Sequence, residues 1–318
     1  MSEPVSGRTV GIRQGVARRS TPGMALVSRS PSNAQRRWRR FLRRTLPAIL
    51  GYAALSIVGL AYFIPLLWLI ITSLKTRAQV FTVPLTWIPD PIMWRNYYDA
   101  MIYPGFDFFQ LLGNSLNYAV LSTLGTVISC AMAGYALARI PFRGRDLLFW
   151  ITVATLMIPG VATMIPTYII FRRLNWVGSY KPLIVPSWMG NAFFIFMLRQ
   201  FMLGLPWELV DAARVDGADE ARIFLSIILP LVKPALLVVT VFNFMGCWND
   251  FFGPVIYVNK AGKMPLSLGL YTFMTRNQTE WPYLMAAAMI VSLPIFIIFF
   301  LAQRTFIEGI ALTGLKGA

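Results

Sequence analysis

The chain has no histidine and only two cysteines, and these absences remove most of the familiar enzyme chemistry. Without histidine there is no Ser-His-Asp triad, no Cys-His dyad and no histidine-ligated metal. Cys130 and Cys247 lie singly inside apolar stretches. They read as small core residues rather than as a disulfide framework or a thiolate metal site, so no metal is expected. The phosphate-loop pattern G-x-x-x-x-G-K-[ST] is also missing, so the chain does not bind and hydrolyse ATP by the usual route, and no cofactor of its own is expected. Charge is scarce as well: 13% of the 318 residues are Asp, Glu, Lys or Arg. A membrane-embedded enzyme would need a constellation of intramembrane Asp, His or Ser, and none is found.

What fills the chain is apolar: 57% of residues are hydrophobic and the mean hydropathy is +0.60, a composition that calls for lipid as solvent. The net charge of +16 would suggest nucleic acid in a soluble protein, but eleven arginines fall within residues 1–44 against a single acid, Glu3. The excess belongs to a tail, and no nucleic-acid partner follows. Residues 1–40 read as a disordered basic cytoplasmic extension, rich in Ser, Gly, Pro and Arg, ahead of a transmembrane domain over 41–318. The same composition fits an organellar transit peptide, and Met24 offers an alternative start.

A spanning helix needs about 20 mostly apolar residues. Six stretches qualify, at about 46–74, 109–138, 147–171, 183–203, 231–257 and 282–303. The predicted fold is all-α, a multi-pass membrane protein with six transmembrane helices and both termini on one side. Orientation follows from basic residues beside the spans, which are retained in the cytoplasm. The cluster Arg36, Arg37, Arg39, Arg40, Arg43 and Arg44 abuts the first span and places both termini inside. Trp87, Trp94, Tyr97 and Tyr98 in the first outer loop, and Trp281 with Tyr283 at the start of the last span, suit membrane interfaces. Gly125, Ala131, Ala133 and Gly134 are expected to be close-packing positions in the second span.

The most polar stretch after the tail is a loop at 205–230, predicted cytoplasmic, which reads as two short helices. Pro206 suits the first helical position, Glu208 the positive end of the dipole, and Gly217 the left-handed residue that closes the first helix. Asp219 caps the second, which Pro230 ends. Leu209, Ala212, Ala213 and Asp216 follow i, i+3, i+4, i+7 spacing, giving one small, apolar face that lets another protein surface come close.

At this point the sequence resembles the membrane subunits of ATP-binding-cassette (ABC) importers. Their cytoplasmic signature is Glu-Ala-Ala, three residues, Gly, nine residues, Ile-x-Leu-Pro. Here it stands as Asp211-Ala212-Ala213, Gly217 and Ile227-Ile228-Leu229-Pro230, with full spacing and Asp in place of Glu. The resemblance implies a type I permease fold. It also implies that this loop is a coupling helix seated in a groove of the ATPase, with Glu208, Asp211, Ala212, Ala213, Asp216 and Gly217 as coupling residues. It narrows to the maltose-type carbohydrate branch, and there to the second of two non-identical permeases. The features that narrow it are Trp248-Asn249-Asp250-Phe251-Phe252, Met264-Pro-Leu-Ser-Leu-Gly-Leu and the end Gln303 to Gly317, where Gly309, Gly314 and Gly317 would bend the chain beside Lys316.

An ionisable residue inside a span is a functional-site hypothesis, so Asp250, with Trp248 and Asn249 beside it, is a candidate for the substrate path. The other reading of Asp250 is a structural partner to another span, or a helix end. Asn114, Asn117 and Tyr118 in the second span are further candidates, with interhelical hydrogen bonding as their alternative. The resemblance implies an assembly in a bacterial inner membrane. This chain would pair with a second homologous permease, two copies of the ABC ATPase, which would use ATP and Mg, and an extracytoplasmic solute-binding protein, all in membrane lipid. Its role would be to pass a sugar or related small polar solute by alternating access. An ion-gradient-driven secondary transporter, with Asp250 as the ion site, is the competing reading, and it leaves the 211–230 signature unexplained.

Overall fold

Helices carry every long apolar run. The computed structural model describes residues 33–258, 260–274 and 279–314. The helices are α1 (Asn33–Ser73), α2 (Arg95–Met101), α3 (Phe108–Arg139), α4 (Arg145–Thr155), α5 (Gly160–Arg173), α6 (Lys181–Ile184), α7 (Ala192–Leu203), α8 (Glu208–Val215), α9 (Glu220–Ile223), α10 (Leu229–Leu231), α11 (Lys233–Trp248), α12 (Phe252–Tyr257), α13 (Leu266–Gly269) and α14 (Trp281–Gly314). Among the described residues the only β-pairing is an isolated bridge between Met274 and Thr279. The tail to residue 32, with Lys316 and Gly317, lies outside the described residues. α14 remains helical through Gly309 to Gly314.

Four stretches are long and apolar enough to cross a membrane: 45–73, 108–139, 181–203 and 281–303. Two bent pairs, 145–155 with 160–173 (98°) and 220–231 with 233–248 (77°), bring the total to as many as six. The first pair covers the third predicted stretch. Residues 156–159 break it, because Pro159 cannot donate to a helix begun before it and sits extended as the cap of α5. In the fifth predicted stretch the long helix ends at Trp248, and Phe252–Tyr257 is a separate short helix. Within 181–203 the helix is interrupted at Gly190 (φ +94°), after which Asn191 restarts it by accepting the Phe193 and Phe194 N–H groups.

Within residues 63–314, α3 is the central element. Asp107 caps it by accepting the Gln110 N–H, and half of its apolar window is buried within the chain. One core gathers Cys130, Tyr135 and Ala138 of α3 with Phe194, Leu198 and Met202 of α7, Val210 and Ala213 of α8, and Val232 and Val239 around α11. A second gathers Leu111 and Ala119 of α3 with Trp248, Leu266, Phe273, Ala286 and Val291. Lipid tails give helices no hydrophobic drive toward one another, so close backbone approach and interhelical hydrogen bonds hold such contacts. A Cβ at Gly134 would sit 3.1 Å from Leu198 Cβ, and one at Gly125 would sit 2.4 Å from the Trp188 ring. Both glycines are close-packing positions, as expected, and Ala131 is buried beside them.

The end of α1 is tied by polar contacts. Asn96 Nδ2 donates to the Ser73 and Lys75 carbonyls (2.8 and 2.9 Å), and Arg77 Nε pairs with Glu280 Oε2 at 2.5 Å. Lys75 is buried with its ammonium 4.9 Å from the Trp68 ring centre, and this burial lowers its pKa.

Candidate functional site

Between α7 and α11 the chain makes a polar connector whose local geometry follows its residues closely. The Val210 and Asp211 N–H groups both return to the Trp207 carbonyl (2.9 and 3.1 Å), so α8 starts at Glu208. Pro206 lies two residues ahead of it rather than at its first position. Glu208 and Asp211 stand in the first turn, where the helix dipole favours acids. At the other end the Ala218 N–H reaches the Ala213 carbonyl (2.9 Å) and the Gly217 N–H the Arg214 carbonyl (3.0 Å), with Gly217 at φ +80°. These two bonds and the left-handed residue make a Schellman closure, which glycine adopts without the Cβ penalty. Asp219 caps α9 by accepting the Arg222 N–H at 2.8 Å, as expected. Pro230 does not end that helix: the chain passes through a π-helical turn, Phe224–Ile228, into α10 and breaks at Val232.

The faces of α8 differ from the spacing argument. Val210 is wholly buried and Ala213 is 7% exposed, both inside the chain's own core. Glu208, Leu209, Asp211, Ala212 and Asp216 are exposed, and Val215 is 88% exposed. Ala213 therefore does not belong to an outward face. It is the residue through which α8 leans on the fold, because the connector must bury some apolar surface to hold a defined position. The outward face is acidic at its edges and small or aliphatic at its middle.

Two residues of α3, one turn apart, hold the connector from beneath. Buried Arg139 donates from Nη2 to the Met202 carbonyl and to the Leu205 carbonyl (2.6 Å), and its guanidinium lies 4.4 Å from the Trp207 ring centre. Tyr135 donates its hydroxyl to Glu220 Oε2 at 2.6 Å. Glu220 Oε1 accepts from Arg214 Nη2 at 2.8 Å, and this bond raises the Arg214 pKa. Arg214 also stands 3.6 Å from Asp211. Sequence reasoning missed Tyr135, Arg139, Arg214 and Glu220. A signal was present: Tyr and Arg at i, i+4 close the polar end of an otherwise apolar span.

The second constellation surrounds Asp250, in the break between α11 and α12. Asp250 Oδ2 accepts the Tyr118 hydroxyl at 2.8 Å, Oδ1 accepts the Gly253 N–H at 2.9 Å, and its carbonyl accepts the Ser267 hydroxyl at 2.6 Å. Both structural alternatives raised for Asp250 thus hold: it sits where the helix stops, and it partners another span. Asp250 and Tyr118 are brought together, but the other candidates separate from them. Trp248 is 1% exposed, stacks on Phe244 and donates Nε1–H to the Val291 carbonyl at 3.0 Å. It packs α11 against α14, which corrects its assignment to a substrate path. Asn114 Nδ2 donates to the Gly262 and Met264 carbonyls (3.2 and 3.0 Å) and so fastens a loop. Asn249, bonded to the Met245 carbonyl, and Asn117 are exposed.

Comparison with known proteins bears on both constellations. Residues 125–311 match the family described as "Binding-protein-dependent transport system inner membrane component". The chain is 31% identical over 282 residues to an arabinooligosaccharides transport system permease protein of Halalkalibacterium halodurans, covering 86% of this chain and 99% of the relative. It is 31% identical over 268 residues to an sn-glycerol-3-phosphate transport system permease protein of Pectobacterium atrosepticum, covering 82% and 95%. In fold it is similar to a chain of a bacterial ABC transporter involved in the import of the acidic polysaccharide alginate, with TM-score 0.70, 23% identity and coverage of 86% and 98%. The matched residues contain the whole connector and the Asp250 break, and this chain belongs to the binding-protein-dependent transport inner-membrane component family, the class of ABC importer permeases that its 211–230 signature resembles.

Proposed function

We propose that this chain is one of two permeases of an ABC importer for a sugar or related small polar solute, spanning a bacterial inner membrane six times with both termini cytoplasmic. The observation that carries the reading is the outward face of α8, formed by Glu208, Leu209, Asp211, Ala212, Val215 and Asp216 above the anchoring Val210 and Ala213. A separate ATPase, present twice and using Mg-ATP, docks on that face. Leu209, Ala212 and Val215 enter its groove, while the Glu208, Asp211 and Asp216 carboxylates meet a basic or hydrogen-bonding rim. An extracytoplasmic binding protein delivers the solute, and closure of the ATPases turns the spans from one access state to the other. The arabinooligosaccharide and glycerol-3-phosphate relatives support a polyhydroxylated solute. The Asp250 and Tyr118 pair, with exposed Asn249 and Asn117, is the candidate polar stretch of the path.

The test is to purify the chain from its native membrane and ask whether an ATPase subunit comes with it. Solute uptake is then measured after that ATPase has lost its catalytic residues. Copurification with loss of uptake is expected. Uptake that continues without ATP hydrolysis, driven by an ion gradient, would overturn the reading.

A further inference from the structure

We propose that Tyr135 and Arg139 are the positioning residues that transmit movement of α8 to the Asp250 break, with α3 as the rod between them. The inference rests on α8 being the ATPase docking helix and adds how that helix is coupled to the rest of the chain.

The argument starts from what fixes α8. Its own apolar anchorage is small, only Val210 and Ala213 being buried. A short helix so held would rock under load, because a few weak contacts cannot define its tilt. The polar clamps supply the missing constraint, and they share one origin. Arg139 takes the two carbonyls that flank Gly204, at Met202 and Leu205, and covers Trp207, the residue that caps α8. A rigid planar guanidinium fixes direction as well as distance, which a flexible ammonium does not. Tyr135, one turn earlier, takes Glu220 at the start of α9, and Glu220 reaches back to Arg214 of α8. Both ends of α8 are therefore referred to one turn of α3. The Tyr135 bond is charge-assisted, short and within reach of a buried ring packed on Phe224, so it resists lengthening.

From Tyr135 the helix runs unbroken to Tyr118, 17 residues and about 26 Å at 1.5 Å per residue. There the Tyr118 hydroxyl grips Asp250 Oδ2 in the α11–α12 break. α3 meets its neighbours through Gly125 against Trp188 and Gly134 against Leu198, contacts too tight to absorb a shift by compression. A displacement imposed at α8 is thus delivered to the Asp250 break by an element that moves as one piece. The other route, along α9 and α10 into α11, contains the π-helical turn Phe224–Ile228 and the break at Val232, both of which yield more easily than a regular helix.

The experiment uses the assembled transporter and needs no knowledge of the solute. A reporter cysteine is placed at the exposed Val255 of α12, and its alkylation by a charged maleimide is timed in nucleotide-free transporter and in transporter trapped with Mg-ATP and vanadate. The chain without the reporter supplies the background from Cys130 and Cys247. With Tyr135 and Arg139 intact, the two states are expected to differ several-fold in rate. In Tyr135→Phe, which keeps the ring against Phe224, and in Arg139→Lys, which keeps the charge, that ratio is expected to fall toward one. ATPase copurification and vanadate trapping are measured on the same preparations, and the rate ratio is taken on transporter that retains its ATPase and traps vanadate. A ratio unchanged in both variants, or no difference between states in the unmodified chain, overturns the proposal and leaves the docking reading standing. An unmodified chain that brings down no ATPase overturns the docking reading itself. Should Arg139→Lys fail to accumulate in the membrane, Tyr135→Phe alone decides.

Discussion

Gly217 allows the docking reading to be tested by a graded series at one position. It holds φ +80° as the closing residue of α8, and an added Cβ would meet nothing within 4 Å. Substitution there carries no steric clash, so the whole effect is backbone strain. An L-residue in the left-handed region costs about 1–2 kcal/mol, Asn pays less because it visits that region readily, and a β-branched residue reaches roughly 3 kcal/mol. The motif can release that strain by unwinding its last turn, which swings Asp216 and Val215 off the α8 face. Docking must then restore it. At about 1.4 kcal/mol per decade, affinity for the ATPase is expected to drop about 5-fold to 30-fold in Gly217→Ala and about 100-fold in Gly217→Val, with Gly217→Asn close to the parent. Membrane abundance by immunoblot should be level across the series, since the position is exposed and no core is disturbed. Retention of the ATPase through detergent purification, titrated against added ATPase subunit, reads the affinity. Equal retention by the Val and Asn variants would refute the argument, because it would mean that the left-handed turn does not set the docking geometry.

The two faces of α8 are expected to respond differently: Ala212→Arg lowers ATPase retention with normal abundance, whereas Ala213→Asp buries a carboxylate in the core and lowers abundance first, which immunoblot and retention together resolve. Trp248→Phe is expected to weaken thermal stability by about 1–2 kcal/mol, through the lost bond to the Val291 carbonyl and the smaller ring, without altering solute selectivity in competition uptake. Asp250→Asn keeps an acceptor for the Gly253 N–H while removing the charge, so normal detergent melting with reduced uptake is expected if the carboxylate serves the path, and unchanged uptake would make the pair with Tyr118 purely structural. Gly125→Val drives a branched side chain into the Trp188 ring and is expected to destabilise by about 1–3 kcal/mol, seen as a lower melting temperature of the purified transporter.

Local chemistry determined much of this protein from sequence alone. Apolar runs set the approximate place of the long helices, and the 211–230 spacing identified the connector, because both are continuous in the chain; Gly217 closed α8 and Asp219 opened α9, because each depends on residues within a turn or two of one another. What tertiary structure decided are the relations across long stretches of chain. Tyr118 meets Asp250 over 132 residues and Tyr135 meets Glu220 over 85, and the local sequence around one partner does not name the other. Spans soluble in lipid are apolar on every side, so periodicity does not say which face turns inward, and Trp248 could be assigned to a path when it packs a core. The small residues of α8 carry the same ambiguity: Ala212 and Ala213 are adjacent and chemically identical, and only the position of α3 and α7 beneath the connector makes one an anchor and the other a contact surface.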